Sequence, residues 1–99
     1  MVVHIVNWDI KEDVEDKDRI VVKSTIKKLL EDLVGVVPGL ISAQVIIDPL
    51  ESSNVDISLV SEIEDIEHLK VYQEHPAHKE AGKYVRQHVC NRRCLDYMK

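Results

Sequence analysis

VVHIVNW, residues 2–8, is rich in β-branched residues and so reads as a strand. Val2, His4, Val6 and Trp8 share one face, and Val3, Ile5 and Asn7 share the other. A strand that is apolar on both faces is covered on both sides, by helices on one and by something else on the other. The acidic run KEDVEDKD (11–18) follows, and carboxylates favour the positive end of a helix dipole, with Asp16 as the expected cap. Ile20, Val22, Ile26, Leu29, Leu30 and Leu33 then recur at helical spacing, Gly35 ends the helix and Pro38-Gly39 turns the chain. LISAQVII (40–47) and VDISLVSEI (55–63) read as two further strands joined by the polar turn DPLESSN. Ile66, Leu69 and Tyr72 begin a second helical stripe that must bend at His75, because a residue before proline leaves the α region. Pro76 suits the first turn of a new helix, with Ala77, Ala81, Tyr84, Val85 and either His88 or Val89 on its apolar side. CLDYM (94–98) closes the chain as a short fourth strand.

The order β-α-β-β-α-β defines an α+β, ferredoxin-like fold with an antiparallel sheet and helices on one face only. One domain over residues 1–99 is expected at this length. Its core must be aliphatic, since the chain has no Phe and aromatics are 4% of it. A small aliphatic core with a second apolar sheet face gives a physical reason for a homodimer. The face carrying His4, Val6 and Trp8 is the one expected to meet the second copy, which would otherwise be a large exposed apolar patch.

Charge and patterning remove several function classes. A net charge of -5, with basic residues scattered along helical segments, disfavours nucleic acid as a partner. No apolar run reaches membrane-spanning length and no leader pattern is visible, so a cytoplasmic protein with no membrane partner is expected. Cys90 and Cys94 could approach each other on a helix, but on a strand they would stand about 13 Å apart, beyond disulfide reach. With Cys94 in a strand, both are expected as reduced thiols.

HIVNW at the start, PGL before the second strand, DISLVSE in the third, YQEHPAH at the helix break and LDY at the end resemble the stress-responsive A/B barrel (Dabb) family across essentially the whole chain. The Tyr-x-x-His-Pro-x-His element, together with a histidine in the first strand, is the most specific part. The resemblance implies two ferredoxin-like protomers packed sheet against sheet into an α+β barrel. It also implies a stress-related or small-ligand-binding role with a pocket between sheet and helices. Alternatively, by its likeness to a plant polyketide cyclase of that family, it implies a cofactor-independent cyclase or lyase. By that likeness His78 matches the general base, His4 the first-strand histidine and Tyr72 a pocket tyrosine, while Leu30 stands where the cyclase has a further pocket tyrosine. The ligand implied is a small apolar, phenolic or carbonyl compound.

The residues can be weighed on physical grounds as well. If Pro76 opens a helix, His78 lies in its first turn, where unpaired N–H groups and the dipole disfavour imidazolium. A neutral imidazole is what proton abstraction next to a carbonyl needs; the alternative is a histidine that only satisfies backbone at the break. His4, among apolar neighbours, is either a satisfied core histidine or a pocket wall that orients a substrate oxygen. Tyr72 places its ring in the core and can leave its hydroxyl at a cavity mouth. His75 is expected to cap the following helix, and His68 and His88 to be ordinary helix residues. The proline break spoils His75 and His78 as a metal pair, so neither metal nor cofactor is expected.

Overall fold

A computed structural model describes residues 1–99 as β1 (Val2–Ile10), α1 (Asp16–Glu31), β2 (Leu40–Ile46), β3 (Ile57–Ile63), α2 (Ile66–Glu74), α3 (Pro76–His88) and β4 (Val89–Met98). The four strands form one antiparallel sheet in the order β2-β3-β1-β4, the ferredoxin-like βαββαβ topology. All three helices belong to the apolar cluster that backs this sheet. Val22, Ile26 and Leu30 come from α1, Tyr72 from α2, and Ala81 and Val85 from α3.

The parity of β1 is the reverse of the expectation. Val2, His4, Val6 and Trp8 are all buried within the single chain, at 2%, 2%, 2% and 7% exposure, beneath the helices. The sheet face without helices carries Val3, Ile5 and Asn7, which lie opposite Glu62, Val60 and Ser58 of β3 and Tyr97, Leu95 and Arg93 of β4. Apolar residues on both sides of a strand cannot reveal which side the helices take. That choice is made by the register with β3, whose Ile57, Leu59, Ser61 and Ile63 are the buried set opposite Trp8, Val6, His4 and Val2.

Other expectations shift locally. Glu15, not Asp16, occupies the cap position of α1, and its side chain makes no capping bond. Ile20 and Ile66 are exposed and lie outside the core, because burial follows the i, i+4 line Val22, Ile26, Leu30 and, in α2, Leu69 with Tyr72. The last strand starts at Val89, where α3 passes into extended backbone without a loop, instead of at Cys94.

Two glycines have work that a larger residue could not do. Gly39 has φ +81 and a Cβ there would stand 2.4 Å from the His68 ring, so His68 packs directly on the backbone. Gly35 has φ +88 where the chain leaves α1.

Candidate functional site

The helix break builds the site. His75 adopts extended backbone (ψ 135), its Nδ1 accepts the Ala77 N–H at 3.1 Å, and Pro76 takes the first helical position. His75 therefore serves the break, as expected. The break redirects the chain between Tyr72, near the end of α2, and His78, in the first turn of α3, so that their rings meet at 4.3 Å between centroids. On its other side the Tyr72 ring meets His4 of β1 edge-on at 5.8 Å. Tyr72 thus lies between two imidazoles that are 74 residues apart in the chain, and the three residues picked from the sequence do converge.

They line a cavity of about 120 Å³ between the sheet and the helices. Val6, Trp8, Leu59, Leu30 and Val85 supply its apolar wall. Leu30 is therefore a wall residue, and at the position where a tyrosine was absent the lining is apolar. A small apolar cavity with a few polar groups aimed into it is the usual form of a small-molecule site.

Each polar group has a distinct environment. Burial pushes His78 below the ordinary imidazole value; the Gln73 backbone opposes this, and the charges of His4, Arg86 and Arg92 push further down. Its Nδ1 is buried and has no hydrogen-bond partner. Burial pushes the Tyr72 hydroxyl up to about 12, so at neutral pH it is a donor, with Arg92 pulling slightly the other way. His4 is anchored on both sides: its backbone carbonyl accepts the Ser61 hydroxyl at 2.9 Å, and its Nδ1 pairs with Asp96 Oδ1. The carboxylate on Nδ1 fixes the orientation of the ring and leaves Nε2 outside that pair.

Asp96, Cys94, Arg92 and Arg86 are the residues that sequence reasoning missed. Asp96 and Cys94 sit on β4 opposite His4 and Val6, and this follows only from the strand register. Arg92 reaches the cavity because β4 bulges: the register shifts opposite Trp8, between the Asn7 and Asp9 pairs, and Asn91 takes φ 54. The same bulge puts Cys90, opposite Asp9, and Cys94, opposite Val6, on different faces, and both thiols are free. The Asn91 side chain, donating to Asp9 Oδ2 at 3.0 Å, was the one legible hint, since Asn tolerates positive φ. His75 Nδ1 is occupied by the Ala77 N–H. The donor atoms that do gather, within 4.8 Å of one another, are those of His4, Cys94 and Asp96. The Arg92 charge, felt at Cys94, opposes a cation there, and burial followed by the Asp96 charge raises the Cys94 thiol.

With this geometry in hand, comparison with known families is decisive. The model of the stress responsive A/B barrel domain matches residues 2–99. The chain belongs to that family. Among solved structures, a dimeric protein of unknown function and ferredoxin-like fold from Bacteroides fragilis superposes with TM-score 0.90 at 28% identity, covering 99% of this chain and 95% of that one. A protein from Arabidopsis thaliana gives TM-score 0.81 at 20% identity, covering 100% and 95%. A dimeric ferredoxin-like protein of unknown function from Thermobifida fusca gives 0.78 at 20%, covering 99% and 90%. No curated protein matches. Two of these three structures are described as dimers, and no helix of this A/B barrel chain is long and apolar enough to cross a membrane.

Proposed function

We propose that this A/B barrel protein binds a small carbonyl compound between sheet and helices and moves a proton on it without a cofactor, His78 acting as base. The observation that supports this is the cavity itself: His4, Tyr72 and His78 converge on one open space instead of being filled over by core side chains. A buried, unpartnered imidazole nitrogen can take a proton from a carbon next to a carbonyl. The un-ionised Tyr72 hydroxyl can then hydrogen-bond the oxygen on which negative charge develops, while Asp96 holds the His4 ring in place in the cavity wall. Such enolisation is the first half of an aldol cyclisation, and its reverse, protonation of the enolate, is the last step of a retro-aldol cleavage.

The protein works as a homodimer in this proposal. The open sheet face carries Val3, Ile5, Val60, Leu95 and Tyr97, of which Leu95 is 55% and Tyr97 47% exposed, and a second copy seated there would remove that surface from water. Cytoplasmic residence belongs to the same reading, with two free thiols in keeping with a reducing compartment.

The small volume of the cavity favours one alternative, a binding protein without turnover. Exchange of the methylene protons of acetylacetone in deuterated water, followed by NMR, separates the two. Turnover requires that the protein accelerate exchange and that His78→Ala lose about 10²–10⁴-fold of the acceleration. Binding with no acceleration removes the enzyme and keeps the pocket. A monomeric mass in solution at micromolar concentration would remove the dimer.

A further inference from the structure

The mouth of the cavity is positively charged although the chain as a whole carries -5. Arg86 and Arg92 both line it, one from α3 and one from the β4 bulge, and both charges are felt at His78. The arginines that find carboxylates are others: Arg19 pairs with Asp16 and Arg93 with Asp9. Asp96, on the cavity side of β4, is already paired with His4.

Two local features hold the guanidinium groups at the mouth. Gly82, one helical turn before Arg86, leaves a notch into which that side chain folds, and a Cβ at 82 would stand 2.8 Å from the Arg86 guanidinium. Glycine in a helix interior costs about 0.5–1 kcal/mol relative to alanine, so the notch is maintained against propensity. The left-handed Asn91 and the bulge re-aim Arg92 to the helix side of the sheet, next to Cys94 and within the field of Tyr72. Guanidinium groups without a protein carboxylate, set above buried neutral imidazole and phenol, match a ligand that is anionic at one end and carries a carbonyl at the other.

We propose that Arg92 and Arg86 form an anion clamp, and that the ligand class is a short β-keto carboxylate whose carboxylate meets the two arginines while its keto group enters between Tyr72 and His78. This rests on the small-carbonyl reading of the pocket. Size supports a short chain: about 120 Å³ is the share of roughly four liquid waters. That space suits a compound of a few heavy atoms better than an extended polyketide.

The test uses two ligands of equal heavy-atom number, acetoacetate and acetylacetone, which differ in carrying a carboxylate or a methyl ketone. Each is titrated into the full-length protein with calorimetry and with the histidine ring signals in NMR. Acetoacetate should bind about tenfold to a hundredfold more tightly than acetylacetone, with the difference shrinking as salt is raised. Arg92→Gln should erase that preference, acetoacetate falling to the level of acetylacetone in the same variant, whereas Arg93→Gln, on the other sheet face, should leave both ligands unchanged. Gly82→Ala should raise the melting temperature and still weaken acetoacetate by displacing Arg86, a split that a purely structural role for Gly82 does not produce. If both ligands bind equally and the arginine variants change nothing, the clamp is wrong and the pocket reading stands. If neither binds, both are wrong.

Discussion

Along β2, at one edge of the sheet, side chains of α1 reach the backbone groups that point outward, whereas along β4, at the other edge, every residue from Asn91 to Lys99 is exposed. Glu31 accepts the Val45 N–H at 2.9 Å, Lys27 donates to the Val45 carbonyl at 2.7 Å and to Glu31, and Lys23 donates to the Ile47 carbonyl at 3.2 Å. Helix side chains there replace the missing fifth strand, which blocks edge-to-edge pairing. Nothing equivalent covers β4. Its helix-side residues Arg92, Cys94 and Asp96 instead stand beside the cavity, and its other face carries Leu95 and Tyr97. One edge is closed for stability; the other is left for the site and, in our proposal, for the partner.

Breaking the contact that joins the two histidines should have the largest effect. Tyr72→Ala removes a ring that is 1% exposed and should cost about 3–5 kcal/mol in urea unfolding, while Tyr72→Phe should keep most of the stability and lose exchange activity. At the open edge the consequence should fall on function. Asp96→Asn leaves an exposed position filled but removes the charge on His4, and kcat should drop about tenfold or more with little change in melting temperature. At the closed edge the order reverses: Glu31→Gln should lower stability by about 1 kcal/mol and leave activity intact. Burial raises the Glu31 carboxyl, but Lys27 and the Val45 N–H outweigh it and the net shift is downward. The Glu31 contribution is therefore present above the unfolded carboxylate range and is lost as pH falls through the lower folded value.

His78 gives the comparison a pH axis. Its folded value lies below the ordinary one of 6.5, so exchange activity should be level at neutral pH and fall only in more acidic solution than a free imidazole would require. Because the unfolded chain binds that proton more readily, His78 also costs stability as pH drops below 6.5. The smallest effect is expected on the outer side of α1, where Ile20→Ser should change stability by no more than about 0.5 kcal/mol, since Ile20 is 62% exposed.

Much of this was legible in the chain. Alternation and helical spacing, with the His75-Pro76 break, delivered the element order, and His4, Tyr72 and His78, the candidates read from the chain, line one cavity. What resisted reading shares one cause. Ile20 and Ile66 look like members of their stripes until the packing angle of each helix is known, and a strand that is apolar on both sides gives no sign of which side the helices occupy.

By itself, then, the sequence determined the local events: where the backbone can be helical, where proline stops it, and how much apolar surface each strand presents. These depend on sterics and solvation within a few residues. Only the tertiary structure decided the partners. Asp96 meets His4 across 92 residues because β4 lies beside β1 in one register, and Arg92 reaches the cavity because a bulge at Asn91 changes the parity of that strand. A shift of one residue in that register would turn each of these side chains to the opposite face, and no composition or spacing within β4 specifies it.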